Sequence, residues 1–553
     1  MEKRSHNAVI LITVFLANAV ITGHCYSGEI SITPTPQNME NKNMAVDIGN
    51  NWNIVSDIPD PSDNDFLTSY LNGEFLSKTS ISFGIWKTRN LPPNNYILLA
   101  LTGSSWLKQA LKNQNSYATD KIGEEGYILD VFNDRIIIIA NNRKGVFYGI
   151  QTLLQLAKSS ERGADIDAVK IIDYPRIKNR GVHFSGPNPK KLKGCIDKIA
   201  SLKLNTAIIE TQDYYDMVNK GAIYEEIFEY ARERNIEPVP ELASFGTGAA
   251  ILKKDPLAAE GIFVRDAKFK TEKGEIRPED PVNHPLLNVI KGGNCDIQVK
   301  SAGSGEIYRE GTDYDIIRGG LEYPYSSDTL PTKILQKKNG KIKDGDEVLV
   351  SYNYVENKNA SWAPWSMPYC PSYEGTYEIM SQAITETINM LHPRYLSIGH
   401  DEIRGMNRDS RCIARNLTNA QLLAYDINRL YSIVKECDDG VTLFMWADML
   451  NPFHNGGDDN CQTSFGGPKG KTAPAIDLIS RDIVMLLWNE SETNLKNAPP
   501  YFYSKGFNIW GAGIKWLMDA DPQTPCSGII ATTWDGWDKN LPDVAKVAEA
   551  GWH

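Results

Sequence analysis

The sequence contains no C-x-x-C pair, although it has eight cysteines among its 553 residues. Structural zinc sites usually draw thiolates at that spacing, so a zinc site of this kind is not expected. His400 stands beside two acids without a second histidine at helical or hairpin spacing, which favours a hydrogen-bonding role over metal ligation. We therefore predict that the protein binds no metal.

Motifs for phosphate-bearing cofactors are also missing. The chain has no glycine-rich phosphate loop, no P-loop and no serine elbow. Basic residues are fewer than acidic ones: the chain has 58 Lys and Arg and 69 Asp and Glu, which gives a net charge of −11. This balance gives no reason to expect a nucleic acid or an anionic membrane as partner. We predict no cofactor and no nucleic-acid partner.

Long apolar runs are confined to the N-terminus. There, Lys3 and Arg4 precede an apolar run from Ala8 to Thr22, which is the order of a secretory signal peptide over residues 1–26. The run is shorter than the ~20 residues of a membrane span, and an uncleaved anchor is the alternative interpretation. We predict a secreted, periplasmic or otherwise extracytoplasmic protein that has no membrane contact beyond this segment.

Residues 27–172 predict a small α+β domain. Its first part, to about residue 51, is polar and rich in Asn and Pro, as in a linker. Alternating apolar residues from Tyr127 to Val131, an Asn-Asp turn and an apolar run from Arg135 to Ala140 predict a hairpin. A helix with an apolar face is predicted to follow from Gly145 to Leu156.

Strands and helices alternate over residues 173–553. Eight βα units predict an α/β fold with a closed (β/α)₈ barrel of the TIM type, and a doubly wound open sheet is the alternative. Over residues 263–355 the alternation is interrupted by short alternating runs with Gly-rich turns, such as DEVLVSYNYV. We predict a β-rich insertion in the loop after the third barrel strand.

Functional residues of such barrels gather at the C-terminal ends of the strands. Nearly every predicted strand end here carries a carboxylate or an indole: His183, Glu210, Asp213, Glu241, the triplet 400–402, Trp446 with Asp448, Trp488 with Glu490, Trp510, and Trp534 with Asp535 and Trp537. One such acid could cap a helix, but eight ends together predict an acidic, aromatic-walled pocket. Such a pocket suits a sugar ring whose cleavage passes through an oxocarbenium-like state.

Four segments resemble a known family. The sequence GEEGYILDV…IIIIANNRKGVFYGIQTLLQL is similar to the domain before the barrel in family 20 glycoside hydrolases, the β-N-acetylhexosaminidases. IIDYPRIKNRGVHF resembles the family's entry into strand one, and YARERNIEPVPELASFG resembles its strand three. YLSIGHDE resembles the strand-four signature His-x-Gly-Gly-Asp-Glu. The resemblance covers about residues 100–262 and 370–553.

The resemblance implies a hydrolase of terminal β-linked N-acetylhexosamine that retains configuration and uses the substrate's acetamide as nucleophile. Glu402 is then the general acid/base with a raised pKa, and Asp401 is an ionised carboxylate that orients the 2-acetamido group. Neighbouring side chains on a strand face opposite ways, but at a strand-to-loop transition the alternation breaks down and both acids can face one substrate.

The resemblance also implies a set of substrate-binding residues at the strand ends: Trp446, Trp488, Trp534, Asp535, His400 and Glu241. The tryptophans match positions where the family builds an aromatic box, and Asp535 matches an acid that binds sugar hydroxyls. Departures from the family pattern are the absence of an arginine in HFSGPNPKK, the replacement of Pro-Gly-His by PELASFGTG, and Ser397 and His400 in the signature. The sequence therefore leaves the sugar open.

Two alternatives follow from the same residues. A retaining glycosidase with a protein nucleophile would pair Glu241 or Glu490 with Glu402 and need no acetamido group on its substrate. A carbohydrate-binding protein on a degenerate barrel would keep the aromatic pocket and lack turnover. The partner predicted in each case is a carbohydrate.

Overall fold

The computed structural model describes residues 30–553 except for residues 89, 112–116, 118, 162, 293–294, 357–365, 458–470 and 519–525. The predicted signal peptide lies outside the described residues. Within the described chain, no helix has the combination of length and apolar character that a membrane crossing requires.

The N-terminal region folds around an eight-stranded sheet with strand order β1-β8-β5-β6-β4-β2-β3 and β7 beside β8. Its elements are β1 (Asn38–Ile48), β2 (Asn53–Asp57), α1 (Pro61–Thr79), β3 (Gly84–Ile85), β4 (Tyr96–Leu101), α2 (Ser105–Ala110), β5 (Tyr127–Val131), β6 (Arg135–Ala140), α3 (Arg143–Leu156), β7 (Ala157–Ser160) and β8 (Gly163–Asp173). The predicted hairpin is confirmed as β5 and β6, with Tyr127 opposite Ala140.

The prediction of a linker up to residue 51 is wrong. Strand β1 occupies Asn38–Ile48 and pairs antiparallel with β8 at the edge of the sheet. Most of its side chains are exposed, so its composition resembles that of a linker. Backbone hydrogen bonds to β8, which a local sequence pattern does not reveal, hold it in place.

The first three barrel strands and their helices are β9 (Asn179–Ser185), α4 (Pro189–Ser201), β10 (Thr206–Glu210), α5 (Met217–Glu233), β11 (Glu237–Ser244) and α6 (Ala249–Lys254). A separate six-stranded sheet then follows in the chain: β12 (Ile262–Glu272), β13 (Glu275–Pro278), β14 (Gln298–Ser301), β15 (Tyr314–Ile317), β16 (Lys333–Gln336) and β17 (Glu347–Tyr354). This sheet has its own small apolar core, centred on residues such as Phe269, Ile334 and Val350.

The rest of the barrel comprises α7 (Glu374–Leu391), β18 (Tyr395–Gly399), α8 (Ser410–Ile413), α9 (Asn419–Cys437), β19 (Thr442–Trp446), β20 (Val484–Leu487), α10 (Glu492–Ser504), β21 (Ile509–Ala512), α11 (Lys515–Met518), β22 (Gly528–Thr532) and α12 (Trp537–Trp552). The eight strands β9–β11 and β18–β22 close on themselves, because β22 pairs in parallel with β9. The TIM barrel is therefore confirmed and the open sheet is ruled out.

The barrel interior is filled by side chains. Apolar residues from several strands meet there, including Ile208, Val239, Phe444, Leu486 and Ile530, and each is completely buried. A packed interior leaves the chemistry to the mouth of the barrel, where the C-terminal ends of the parallel strands converge.

Candidate active site

The Asp401–Glu402 pair lies on a strained turn directly after β18. Gly399, His400 and Glu402 have φ values of 68°, 71° and 45°, which place three of four consecutive residues in the left-handed region. Non-glycine residues in that region are uncommon and usually occur where the surrounding structure enforces them. The turn ends the strand's alternation, so the side chains of Asp401 and Glu402 are no longer bound to point to opposite faces.

The turn is held from two sides. The backbone N–H of Glu402 donates to Asp448 Oδ2 at 2.9 Å, and Asp448 follows β19. On the other side, Gly246 packs so closely that a Cβ there would lie 2.3 Å from the backbone oxygen of Asp401. Only glycine permits this approach, so the segment after β11 and the acidic turn fit together at this point.

Five carboxylates meet at this end of the barrel: Asp401, Glu402, Glu210, Glu241 and Asp448. Burial, followed by the charges of the other four, raises the pKa of Asp401 well above its ordinary value. The raised pKa opposes the ionisation that the sequence analysis predicts for Asp401, and its charge state stays a prediction. Three of the neighbouring acids come from other strands, and their proximity is a tertiary effect.

Glu402 has its own counter-ion in Arg404. The Arg404 Nη2 lies 2.5 Å from Glu402 Oε2. Burial raises the pKa of Glu402, Arg404 opposes that shift and Asp448 adds to it, so the pKa of Glu402 is raised overall. This direction agrees with the predicted general acid. The sequence analysis assigned no role to Arg404, and the motif Ile-Arg after the acids was the available signal.

The carboxylate of Glu241 is hydrogen-bonded to side chains of the protein. Ser397 Oγ donates to it at 2.6 Å, Trp446 Nε1 donates at 3.2 Å, and His183 Nε2 lies 3.1 Å from it. Burial favours its neutral form, but His183 and these hydrogen bonds outweigh burial and lower the pKa of Glu241. The side chain is buried and bonded to protein groups, which does not favour the predicted direct contact of Glu241 with the sugar.

The three predicted tryptophans do come together beside the carboxylates. The ring centroids of Trp446 and Trp534 are 5.7 Å apart, and those of Trp488 and Trp534 are 5.8 Å apart. Trp446 is buried, whereas Trp534 is 52% exposed, which is unusual for so large an apolar surface. A cavity of about 360 Å³ opens beside Trp488 and Trp534; Asp401 and Glu402 are not among its lining residues.

The structure does not bring His400 to this cluster. His400 is fully buried, with Nδ1 2.8 Å from Ser244 Oγ and Nε2 2.8 Å from Asp426 Oδ2. Both ring nitrogens are thus bonded inside the protein, which does not favour the predicted sugar contact of His400. Asp426, on α9, also accepts hydrogen bonds from Tyr369 and Tyr377.

Asp535 is also outside the cluster. It is exposed at the start of α12, where its carboxylate lies 3.3 Å from Lys539 Nζ. Its predicted contact with the sugar stays a prediction. Glu210, at the end of β10 in the carboxylate cluster, accepts a hydrogen bond from Ser185 Oγ at 2.8 Å.

Two groups among the described residues have ligand atoms close enough to hold a cation. One is His183, Glu210 and Glu241 at the barrel mouth, and the other is Glu260, Cys370 and Cys412 in the buried core beside α8. In the first group His183 and Glu241 lie within hydrogen-bonding distance of each other, and in the second Cys412 donates to Glu260. Internal hydrogen bonds therefore account for both groups, and the prediction of no metal remains a prediction.

Comparisons with known proteins agree with this architecture. The sequence patterns of "Glycosyl hydrolase family 20, domain 2" and "Glycosyl hydrolase family 20, catalytic domain" match residues 29–174 and 338–504. One similar solved structure is the Flavobacterium johnsoniae chitobiase, with 18% identity, a TM-score of 0.57 and coverage of 94% of this chain and 69% of that one. Another is the Bacteroides fragilis β-N-acetylhexosaminidase, with 15% identity, a TM-score of 0.57 and coverage of 95% of this chain and 91% of that one.

A third is a mutant Streptomyces plicatus β-hexosaminidase in complex with the product GlcNAc, with 14% identity, a TM-score of 0.55 and coverage of 94% of this chain and 90% of that one. At these identities the structural likeness concerns the fold, whereas the two matched patterns concern the family. The chain belongs to glycosyl hydrolase family 20 and is a β-N-acetylhexosaminidase-like glycoside hydrolase.

Proposed function

We propose that the protein removes terminal β-linked N-acetylhexosamine residues from glycans with retention of configuration. The observation that carries this proposal is the acidic pair on its strained turn, beside three converging tryptophans. The proposed reaction needs two acids: one protonates the leaving oxygen, and the other stabilises the positive charge that develops at the acetamido group. The tryptophan faces offer stacking surfaces for the sugar ring and the acetamido methyl group.

In the proposed mechanism, Glu402 donates its proton to the glycosidic oxygen as the bond from that oxygen to C1 breaks. The acetamido carbonyl oxygen forms a new bond to C1, and Asp401 stabilises the positive charge that develops on the resulting ring. Glu402 then removes a proton from water, which attacks C1 and reopens the ring. Two inversions at C1 give net retention, and Glu402 ends in its protonated form.

A protein nucleophile is less well supported. Glu241 has His183, Ser397 and Trp446 as hydrogen-bonding partners, and its burial leaves no open approach to a sugar carbon. Glu490 accepts a hydrogen bond from the backbone N–H of Lys515 at 2.6 Å. A thiazoline mimic of the cyclised intermediate distinguishes the mechanisms, since it should inhibit only an enzyme that uses the substrate's acetamide.

The central test is hydrolysis of aryl glycosides with and without the 2-acetamido group. We expect turnover of the aryl N-acetylhexosaminide only, and a loss of ~10²- to 10⁴-fold in kcat for Glu402→Gln, because that variant cannot donate a proton to the leaving oxygen. The control is Glu225→Gln, on an exposed position of α5, which should keep full activity. Equal turnover of the sugar without the acetamido group would contradict the proposed mechanism.

We further propose that the enzyme acts outside the cytoplasm, on the basis of the signal-like N-terminal sequence. Fractionation of cells that produce the full chain, combined with N-terminal sequencing of the mature protein, tests this proposal. A mature chain that begins near residue 26 in an extracytoplasmic fraction is the expected result. An intact Met1 in the cytoplasmic fraction would contradict it.

A further inference from the structure

A second cavity lies at the opposite end of the barrel from the candidate active site. It has a volume of about 540 Å³ and is lined by residues where β9, β10, β11 and β18 begin, together with residues of the N-terminal region. Chemistry in these barrels takes place at the C-terminal ends of the strands. This cavity is therefore remote from the acidic turn and has no part in the proposed hydrolysis.

The walls of this cavity are rich in positive charge. Six cations line it: Lys121, Lys144, Arg176, Lys178, Arg232 and Arg394. Five are exposed and Arg232 is half-buried. Within the described chain, none of the six forms an ion pair with a carboxylate, unlike Arg234, Lys300, Arg411 and Arg429. Arg232 donates to the backbone oxygens of Leu391 and His392, which leaves its positive charge unneutralised, so the six charges are available to a ligand.

Three carboxylates also line the cavity and reduce this charge only in part. Glu125 is already paired with the buried Arg180 at 2.8 Å, and Glu124 is exposed at the rim. Glu237 faces Arg232, Arg394 and Lys144, and burial raises its pKa. The cavity remains positive on a chain whose net charge is −11, so its charge does not reflect the average surface.

The cations are spread along three separate parts of the chain. Lys121 and Lys144 belong to the N-terminal region, Arg176 and Lys178 to the connection into β9, and Arg232 and Arg394 to the barrel. The single carboxylate of Glu237 interacts with three of them, Arg232, Arg394 and Lys144. A ligand that also meets the charges of Lys121, Arg176 and Lys178 carries more than one negative group, as a charged oligomer does.

The uncharged lining suits a sugar. Tyr174 and Tyr395 supply half-buried rings. Asn179 and Asn205 also line the cavity, but the Nδ2 of Asn179 donates to the Ser527 backbone oxygen and the Nδ2 of Asn205 donates to Glu125 and to the Lys178 backbone oxygen. The Nδ2 atom of Asn235 is buried and has no hydrogen-bond acceptor among the described residues. Amides that bond hydroxyls and rings that stack on CH faces are the usual partners of a pyranose.

We propose that this cavity binds an oligosaccharide that carries several sulfate or carboxylate groups, as a second carbohydrate site at the base of the barrel. The inference does not depend on which sugar the enzyme cleaves. Such a site would hold an anionic glycan on the enzyme while another part of that glycan, or a neighbouring chain, reaches the barrel mouth.

Calorimetric titration of the full protein tests the proposal. The probes are a sulfated hexasaccharide, an oligogalacturonate of six residues and the neutral maltohexaose, each at low and high salt. We expect at least one anionic probe to bind, its affinity to fall with salt, and maltohexaose not to bind. The comparison of the two anionic probes shows whether sulfate or carboxylate is preferred.

Variants locate the binding. The double variant Lys144→Gln, Lys178→Gln should lower the affinity for the anionic probe by about tenfold, because two cations of the cavity are lost. The matched control is Lys191→Gln with Lys220→Gln, which removes the same charge from exposed positions of α4 and α5. Hydrolysis of a neutral aryl N-acetylhexosaminide should be unchanged in both double variants, which separates this site from the proposed catalytic one.

Three results would overturn the proposal. The first is a lack of binding of both anionic probes at low salt. The second is equal weakening in the test and control variants, which would indicate general attraction to the whole surface. The third is equally tight binding of a single-stranded oligonucleotide of matched charge, which would indicate a polyanion surface without preference for sugars.

Discussion

At the scale of single residues, the raised pKa of Asp401 is the feature that most affects the chemistry. Four other carboxylates surround it, and three of them arrive from β10, β11 and the segment after β19. The sequence drew attention to the two adjacent acids. It did not reveal the raised pKa of Asp401, because that shift depends on acids distant in the chain.

Asp401 must be ionised to stabilise the developing positive charge, so activity should fall as pH drops through its raised pKa. We expect the acidic limb of the kcat/KM profile to lie well above 3.8, the ordinary pKa of Asp. Asp448→Asn removes the neighbouring charge that raises this pKa most and should move the acidic limb to lower pH. Asp213→Asn, at a strand end outside the carboxylate cluster, is the control. An unmoved limb in Asp448→Asn would contradict the assignment.

The alkaline limb of the pH profile of kcat tests the assignment of Glu402 as the protonated acid. Arg404 lowers the pKa of Glu402, so Arg404→Gln should raise that pKa and keep the acid protonated to higher pH. We expect the alkaline limb of kcat to shift upward in this variant. Arg408→Gln, four residues further along the chain, should leave the profile in place. A downward shift in Arg404→Gln would show that another group titrates on this limb.

At the scale of elements, the acidic turn depends on a helix that no local sequence pattern connects with it. Helix α9 begins at a capping box formed by Thr418 and Gln421, and its Asp426 is bonded to His400. Strand β18 ends at Gly399, immediately before the turn. The conformation after β18 was not predictable, since it depends on partners from β11 and α9.

Removal of the His400 anchor tests this dependence. We expect His400→Ala to lower kcat by about 10²-fold with little change in KM, because a small displacement of the reacting groups is costly while the sugar-binding surface is intact. His400→Asn, which tolerates positive φ and keeps a polar side chain, should lose less. A rise in KM as large as the fall in kcat would instead support the sugar contact suggested by the sequence.

For some elements, the local sequence pattern is sufficient to predict where the element begins and ends. Strands β5 and β6 are predicted to the residue, because each is an apolar segment bounded by polar or turn residues. The segment Ala473–Leu478 forms a short 3₁₀ turn, and its apolar spacing is too brief to distinguish such a turn from an α-helix.

At the scale of the whole molecule, a buried polar network joins the N-terminal sheet to the barrel. Asp173, at the end of β8, accepts hydrogen bonds from Tyr127 of β5, from Lys203 after α4 and from Trp552 of α12. Lys203 and Asp173 are both fully buried, with Nζ and Oδ2 2.8 Å apart. The network therefore couples the first domain to the last helix.

Because loss of one partner leaves a buried charge unpaired, we expect Asp173→Asn to lower the free energy of unfolding by about 3–5 kcal/mol. Chemical denaturation followed by fluorescence measures this change. Asp543→Asn, which removes an exposed partner of Lys546, should change the free energy by no more than about 0.5 kcal/mol. A similar small effect for Asp173→Asn would show that the two regions are stable independently.

The sequence by itself determined the alternation of barrel strands and helices, the acidic pair and the three tryptophans, because period, turn residues and strand-end position are local properties. Only the tertiary structure decided that Glu241 and His400 are held by protein partners and that Asp401 lies among acids from other strands. Burial, hydrogen-bond partners and electrostatic fields arise between segments far apart in the chain, so no local pattern encodes them.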